Sequence, residues 1–285
     1  MKIAIVTDST CDLPAELAEA HQIEIVPNLV IIDGKSFADE IEISRQEFYE
    51  RLPGLHTPPT TATASPGTYQ ELYERLLQKG AQSILSIHLA SKLSGVFSAA
   101  SAAAQAFGHS KDHRERVVVF DSQQLSVGLG FQALAAAEAV AQGASLEAIL
   151  KLIENMRKRT LVMAMLDTLE YVRRSGRVSW MKAQMGNLLS IKPFLGVRDG
   201  EVLRLGEART RRNGFERLLN FARELGKLER LAILHTNAEE DARRFLEMLR
   251  PDLAFPAMVV YVTSVIGTHI GPNAVGFGAV AQMGQ

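Results

Sequence analysis

Cysteine is almost absent from the sequence, and neither sign of charge is in excess. The 285 residues include a single cysteine, Cys11, which excludes an internal disulfide and any cysteine-based zinc site. The 31 Lys and Arg residues nearly balance the 32 Asp and Glu residues, so no basic field draws the chain to nucleic acid. These features predict a cytoplasmic protein that does not bind nucleic acid.

Long apolar runs and the common catalytic motifs are also missing. No apolar run approaches the length of a membrane-spanning helix, and polar residues interrupt the N-terminal segment MKIAIVTDS too early for a signal peptide. The sequence has no GxxxxGKS/T or GxGxxG nucleotide loop, no GxSxG elbow and no HExxH metal motif. We therefore expect no metal, no cofactor and no catalytic residue.

The remaining composition is that of a globular protein with a substantial core. Hydrophobic residues make up 47% of the chain and charged residues 22%. The length exceeds the roughly 100 to 200 residues of a usual single domain. Two domains are therefore predicted, at residues 1–158 and 159–285.

The first part of the chain alternates strand and helix patterns. Short aliphatic runs predict strands, and apolar residues at three- and four-residue spacing predict helices between them. This alternation is typical of a mostly parallel sheet covered by helices, in which ligands bind beyond the carboxyl ends of the strands. The predicted strands cover residues 2–7, 83–89 and 116–121, and the predicted helices cover residues 44–52, 67–78, 94–107 and 127–143.

The pattern changes after a crossing helix at residues 144–160. A hairpin is predicted at residues 190–209, with its turn at Asp199 and Gly200. Strands and helices then follow in a less regular order, which indicates a second α/β domain with a mixed sheet. Its other predicted strands cover residues 161–166, 230–235 and 257–262, and its helices cover 167–189, with a break near Ser175 and Gly176, 211–226 and 238–249.

Hydroxyl groups and prolines are concentrated in the segment PPTTATASPGTY at residues 58–69. Prolines stiffen such a segment, while Thr60 or Thr61 can donate hydrogen bonds to an oxyanion. The other interpretation is helix capping, with Ser65 or Thr68 opening the following helix and Pro66 in its first turn. Both interpretations can hold together.

A second polar segment, HLASKLSG, follows a predicted strand and leads directly into a helix. It contains Ser91, Ser94 and Gly95. Unpaired backbone N–H groups and the positive end of a helix favour an anion at such a position, and a serine hydroxyl adds a donor. The alternative is that Ser94 only caps the helix.

The segment VIGTHIGPNAVGFG places His269 between Gly267 and Gly271, which predicts a loop. The threonine of residues 58–69, Ser94 and His269 are expected to converge on a small anionic group. The glycines would let this loop approach the ligand closely.

Nucleophilic catalysis is the alternative use of the same residues. Ser94 would then be the nucleophile and His269 the base, oriented by Asp8 or Asp121. The other six histidines stand alone in the sequence, and a surface or core role is expected for each. The carboxylates of AEED (238–241) and DEIEIS (39–44) are expected to be solvated or to cap helices.

Several motifs follow one another along nearly the whole chain: IAIVTDSTCDLP, IVPNLVIIDGKSFADEIEISRQEFYERL, PTTATASPGTY, SKLSGVFSAA, LEYVRRSGRVS, IKPFLGVRDGEV with EARTRR, and GTHIGPNAVGFG. In this order they resemble the bacterial DegV family. The resemblance implies a two-domain DegV-like α/β fold, with a mostly parallel sheet in the N-terminal domain and a mixed sheet in the C-terminal domain. It also implies a bound long-chain fatty acid, with the carboxylate between the domains and the acyl chain in the C-terminal domain.

The resemblance assigns the carboxylate contacts to Thr61, Ser94 with Gly95, and His269. The threonine loop of the family commonly reads PTTSQPS, so Ala62 in this chain lacks any hydroxyl contact from that position. The chain is similar to the fatty-acid-binding subunits of bacterial fatty acid kinase, which present the carboxylate to a separate ATP-dependent kinase that makes an acyl phosphate.

Two basic segments, YVRRSGRVS and EARTRR, suggest contacts beyond the fold. Arg173, Arg177 and Arg209 are expected to meet the kinase or, transiently, an anionic membrane surface. The alternative is that these arginines are solvated ends of helices.

Overall fold

The computed structural model describes residues 2–108, 116–178 and 191–283, which form three sheets with helices packed around them. The strands are β1 (Ile3–Asp8), β2 (Ile23–Val26), β3 (Leu29–Ile32), β4 (Lys35–Ala38), β5 (Thr60–Ala62), β6 (Ser83–His88), β7 (Val117–Asp121), β8 (Thr160–Met165), β9 (Lys192–Arg198), β10 (Glu201–Ala208), β11 (Leu228–His235), β12 (Met258–Tyr261) and β13 (Val275–Ala281). The helices are α1 (Ala15–Ala20), α2 (Arg45–Arg51), α3 (Pro66–Gln78), α4 (Val96–Gly108), α5 (Val127–Ala141), α6 (Leu146–Arg159), α7 (Glu170–Ser175), α8 (Arg211–Glu224), α9 (Glu239–Leu249) and α10 (Ser264–Ile270).

The N-terminal part is built on a four-stranded parallel sheet in the order β2-β1-β6-β7. The inner strand β6 is buried along its whole length, as expected for a parallel sheet covered by helices. Strands β4, β3 and β5 form a small antiparallel sheet beside it. The segment at residues 58–69 therefore begins as a strand, which its sequence did not indicate because three residues are too few to show an alternation.

The C-terminal part is built on a six-stranded mixed sheet in the order β10-β9-β8-β13-β11-β12. Only β11 and β12 are parallel in it. The predicted α/β class, with one parallel and one mixed sheet, is confirmed. The predicted domain boundary near residue 158 stays a prediction. Helix α5 lies between the two large sheets, since it contacts β1 and β6 on one side and β8 and β13 on the other.

Local signals account for many of the element boundaries. The side chains of Ser44, Ser65, Ser145 and Thr210 each accept a hydrogen bond from a backbone N–H in the first turn of a helix. The capping interpretation of Ser65 is thus confirmed. Helix α7 ends at the predicted break, where Gly176 has φ 65°. The rest of the predicted helix at residues 179–189, like His109 and His113, lies outside the described residues.

The β9–β10 hairpin turns where the sequence predicted. Asp199 and Gly200 have φ values of 51° and 76°, as the tight turn between two such strands requires. The tip of the hairpin rests on the N-terminal part of the chain. The amide of Gly200 donates to the carbonyl of Gln123 at 3.2 Å, and Lys92 pairs with Glu201 at 2.8 Å.

The prediction that His269 lies on a loop is wrong. His269 is in the last turn of α10, with Gly267 inside the helix and Gly271 immediately after it. No helix among the described residues combines the length and apolarity needed to cross a membrane.

Candidate functional site

Two adjoining cavities lie between the six-stranded sheet and the loops that follow β1 and β6. The first, called the polar compartment here, has a volume of about 670 Å³, part of it open to solvent, and contains the side chains of Thr10, Thr61, Ser94, Arg177 and His269 among apolar walls. The structure thus brings together three of the residues that the sequence singled out for an anion.

The second compartment, called the apolar compartment here, spans about 570 Å³ and is lined almost wholly by apolar atoms. Strands β8, β9 and β11 form its floor, and α10 covers it. The residues that line both are Leu125, Leu195, Val202, Ile266 and Ile270.

One face of α10 forms the shared wall. Val265, Ile266, His269 and Ile270 lie on this face, because residues four apart in a helix share a side. His269 is therefore the polar member of an apolar helical stripe.

The glycines beside His269 serve close packing. A methyl group added at Gly267 would overlap the ring of Tyr49, and one added at Gly271 would overlap the ring of Tyr171. Gly271 also has φ 76°, a conformation that favours glycine. The two aromatic rings hold α10 from either end, which explains why glycines flank a helical histidine.

His269 and Thr61 are joined directly. Thr61 Oγ1 and His269 Nε2 share a hydrogen bond of 2.9 Å. The other ring nitrogen, Nδ1, is buried and has no hydrogen-bond partner among the described residues. Burial and the positive charge of Arg177 lower the pKa of His269 to about 4, so the ring is neutral near pH 7. A neutral imidazole with one unpaired nitrogen is suited to a hydrogen bond with a ligand.

Of the remaining residues predicted to bind the anion, one lines the cavity and two are exposed. Ser94 lines the polar compartment, and its Oγ accepts a 3.4 Å hydrogen bond from the amide of Val96 at the start of α4. Gly95 is exposed at the same helix start and does not line the cavity. Thr60 is exposed, because neighbouring residues of a strand point to opposite sides.

The structure does not assemble the alternative catalytic triad. Asp8 accepts a hydrogen bond from His88 at 3.0 Å, and Asp121 accepts one from the Ser91 hydroxyl at 2.6 Å. Among the described residues, no carboxylate orients His269. Its lowered pKa also makes His269 a poor general base near pH 7.

The three arginines predicted for contacts beyond the fold are exposed, and none makes an ion pair within the described part of the chain. Arg177 lines the polar compartment, and its guanidinium donates to the carbonyl of Ser175 at 2.8 Å. Arg173 and Arg209 do not line the cavity.

Buried charges from the N-terminal part hold the start of α10. Asp12 accepts a 2.7 Å hydrogen bond from the amide of Thr263, and Asp39 accepts one from the hydroxyl of Ser264. Arg45 donates to the carbonyl of Tyr261. Burial raises the pKa of both carboxyls to about 6. The expectation that the carboxylates of residues 39–44 are solvated is therefore wrong for Asp39, since its partner lies 225 residues away and leaves no local signal.

One residue that lines the cavity was missed as a site candidate. Thr10 lines the polar compartment, and its hydroxyl donates to the buried carboxylate of Asp8. The sequence signal available for Thr10 was its place in TDST directly after β1, at the carboxyl end of a parallel strand.

Comparisons with known proteins agree with this architecture. A model of the DegV family, described as an uncharacterised protein of that family, matches residues 2–282. The protein DegV of Bacillus subtilis (strain 168) is 37% identical over 283 residues, which cover 97% of this chain and 98% of that protein.

Two solved structures show the same fold. One is a DegV family protein from Thermus thermophilus, whose structure is described as showing fatty acid binding. It has a TM-score of 0.89 at 34% identity, and the match covers 99% of this chain and 100% of that protein's chain. DegV from Bacillus subtilis, described as a fatty acid binding protein, has a TM-score of 0.88 at 35% identity with the same coverage. From the family match and these similarities, the chain belongs to the DegV family.

Proposed function

We propose that the chain binds one long-chain fatty acid, with the carboxylate in the polar compartment and the acyl chain in the apolar compartment. The observation that carries this proposal is that the two compartments adjoin and share five lining residues, because a polar site next to an apolar one matches a carboxylate with its acyl chain. The description of similar solved structures as fatty-acid-binding proteins supports it.

The acyl chain would supply most of the affinity. Burial of each methylene contributes about 0.8 kcal/mol, so a chain of about a dozen contributes on the order of 10 kcal/mol before the costs of association. The apolar compartment is suited to this because almost no polar atom faces it. Chain length would then be the main determinant of affinity.

The carboxylate needs hydrogen-bond donors to replace its lost hydration. Ser94 and the hydrogen-bonded pair of Thr61 and His269 supply donors at the polar compartment, and Arg177 adds a positive charge nearby. Because the ring is neutral, the pair offers one proton to the ligand: when Thr61 donates to Nε2, Nδ1–H is free to donate to the carboxylate. Gly95 would contribute through the positive end of α4. The head group would thus set orientation more than affinity.

The test is to denature the purified protein, extract it with organic solvent and identify the lipid by mass spectrometry. A long-chain fatty acid in about molar proportion is expected. Binding of isotopically labelled palmitate and oleate to delipidated protein should compete with that lipid. Repeated extraction without fatty acid, together with no binding of either labelled acid, would contradict the proposal.

We further propose that the chain is a cytoplasmic carrier without catalysis of its own, which presents the carboxylate to a separate ATP-dependent kinase for conversion to an acyl phosphate. The resemblance of the sequence to fatty-acid-binding subunits of fatty acid kinase supports this step. Exposed arginines without an ion pair among the described residues, Arg177 at the polar compartment and Arg173 and Arg209 outside it, would suit contact with the kinase or with an anionic membrane.

Charge reversal tests the partner role. Replacing Arg173 and Arg209 with glutamate should slow acyl-phosphate formation in the presence of the kinase, because complementary charge speeds association. Fatty-acid binding should be unchanged, since neither residue lines the cavity. Arg244→Glu, on the exposed side of α9, is the control. An unchanged rate with the double variant would contradict the contact.

A further inference from the structure

A fully buried chain of hydrogen bonds runs beside the polar compartment. The Tyr73 hydroxyl donates to Ser86 Oγ at 2.8 Å, Ser86 Oγ lies 2.6 Å from His88 Nε2, and His88 Nδ1 lies 3.0 Å from Asp8 Oδ2. All four residues are buried. One direction satisfies every bond: Ser86 donates to Nε2, and Nδ1 carries the proton that is donated to Asp8.

Ser86, His88 and Asp8 are bonded in the order of a catalytic triad, but a substrate in the cavity could not reach them. None of the three side chains lines either compartment of the cavity. The Ser86 hydroxyl is held between Tyr73 and His88, so it is not free to attack a substrate. The chain of bonds must therefore serve another purpose.

Its inner end, Asp8, is a junction of five hydrogen bonds. Oδ1 accepts from the amide and the hydroxyl of Thr10 and from Asn28 Nδ2, the latter at 3.1 Å. Oδ2 accepts from His88 and from the amide of Leu89 at 3.1 Å. One carboxylate thus joins the turn after β1, the link between β2 and β3, and the loop after β6.

Two of these segments form walls of the polar compartment. Thr10 and Leu89 line it, and the loop that starts at Leu89 leads to Ser94. A buried carboxylate is stable only when donors surround it, so the three segments are held where their donors reach Asp8. Burial alone would raise the pKa of Asp8, but the interactions with His88, Thr10 and Leu89 outweigh it and lower that pKa.

We propose that Asp8, oriented by His88, is a positioning residue for the head-group site: it fixes Thr10 and the start of the Ser94 loop so that the polar compartment fits a carboxylate. This inference rests on the proposed binding of a fatty acid and adds to it. Neither residue would touch the ligand.

The test compares two probes with the same chain, palmitic acid and hexadecan-1-ol. The quantity measured is the ratio of their dissociation constants, which isolates the carboxylate from the tail. Asp8→Asn should reduce the preference for the acid by about tenfold, because the amide cannot accept all five donors. Affinity for the alcohol should change by less than about twofold, since the acyl wall is untouched.

A second pair of variants covers the case in which Asp8→Asn does not fold. His88→Leu removes the donor to Asp8 and should also reduce the preference for the acid. His88→Asn places an N–H near the position of Nδ1 and should restore most of it. Tyr73→Phe is the matched control, since it removes a buried hydrogen bond on the side away from Asp8 and should leave the preference unchanged.

The outcomes separate this inference from the proposed function. If the wild-type protein binds neither probe, both are overturned. If it binds palmitic acid but the Asp8 and His88 variants weaken acid and alcohol equally, or weaken neither, the positioning role alone is overturned. A loss of preference in Tyr73→Phe as large as in His88→Leu would also overturn it.

Discussion

The His269 side chain is largely buried, and its burial and hydrogen bonds determine its charge and its capacity to bind a ligand. The ring is neutral near pH 7, bonded at Nε2 to Thr61 and, within the described ranges of the chain, unpaired at Nδ1. A neutral ring in this position can position a ligand through one hydrogen bond, without a change of charge. This is the role that a carboxylate site requires.

Replacing His269 with alanine should leave lipid bound while impairing transfer. The lost hydrogen bond costs about 1 to 3 kcal/mol of binding free energy, whereas the acyl chain keeps its burial. Acyl-phosphate formation should fall further, because a loosened carboxylate is misplaced for attack on the γ-phosphate of ATP. Bound lipid and acyl phosphate should be measured together, with His56→Ala, at an exposed position, as the control. Full acyl-phosphate formation by the variant would assign His269 a structural role only.

At this scale the sequence predicted which side chains lie together, but not what holds them in place. Thr60 or Thr61, Ser94 and His269 stand out through a proline- and hydroxyl-rich segment, a serine between a strand and a helix, and two flanking glycines. The structure places Thr61, Ser94 and His269 in one compartment. The junction at Asp8 could not be predicted, since His88 lies 80 residues away and an aspartate after a strand is an ordinary feature.

At the scale of the element, α10 is short and is held mainly by side chains of the N-terminal part. Its start is bonded to Asp12 and Asp39, and Tyr49 packs against it at Gly267. A helix of one to two turns has little stability of its own. The position of His269 therefore depends on these contacts.

Gly267→Ala should displace α10. The added methyl overlaps the Tyr49 ring, and overpacking of this kind costs about 1 to 3 kcal/mol. Both the free energy of unfolding in urea and the affinity for palmitate should decrease. Gly54→Ala is the control, because a methyl group there meets no atom within 4 Å. Equal behaviour of the two variants would show that the contact with Tyr49 is not tight.

The carboxyls that hold α10 should make stability depend on pH. Asp12 and Asp39 have pKa values of about 6 in the folded chain, above the value of about 3.9 expected when unfolded. Between those values the folded state binds more protons than the unfolded state, so the free energy of unfolding falls as pH rises from about 4 to about 6. Asp39→Asn should make this slope shallower, by about 1 to 3 kcal/mol across the window.

Urea unfolding at pH 4.5 and pH 7 measures this slope. Asp33→Asn, in an exposed turn, is the control variant. A slope in Asp39→Asn equal to that of the wild type would mean that Asp39 is not responsible.

Sequence patterns failed for the shortest elements. Helical spacing is present in the stripe formed by Val265, Ile266, His269 and Ile270. Two glycines within five positions nevertheless favour the prediction of a loop over that of a helix. The rings that require these glycines, those of Tyr49 and Tyr171, are distant in sequence and leave no local signal. Longer elements such as α3 and α6 were predicted well, because their period extends over three or more turns.

At the scale of the whole molecule, the cavity joins the two large sheets. Its walls come from β5 and the loops of the parallel sheet at one end and from the mixed sheet at the other. A ligand that binds only the folded chain stabilises it, by about 2.7 kcal/mol at a concentration of 100 Kd. A bound fatty acid should therefore stabilise the N-terminal part, the C-terminal part and the contact between them.

Ala164→Leu tests whether the tail occupies the apolar compartment. Palmitate should raise the Tm of the wild-type protein by about 5 °C, and this gain should shrink in the variant because the larger side chain fills space along β8. Octanoate, which needs less room, should behave similarly in both proteins. Ala15→Leu, exposed on α1, is the control. An undiminished gain with palmitate would exclude this path for the tail.

The β9–β10 hairpin has a consequence for the residence time of a bound acid. Leu195 and Val202 of this hairpin line the cavity. The tip of the hairpin meets the N-terminal part through a backbone hydrogen bond and through the exposed pair of Lys92 and Glu201, which contributes little because water screens its charges. Opening of the tip should therefore cost less than opening of the sheet centre, and its amides should exchange with deuterium sooner than those of β13. Because salt screens exposed pairs, release of the acid should quicken with ionic strength, and Glu201→Gln should release it at the same faster rate in low salt.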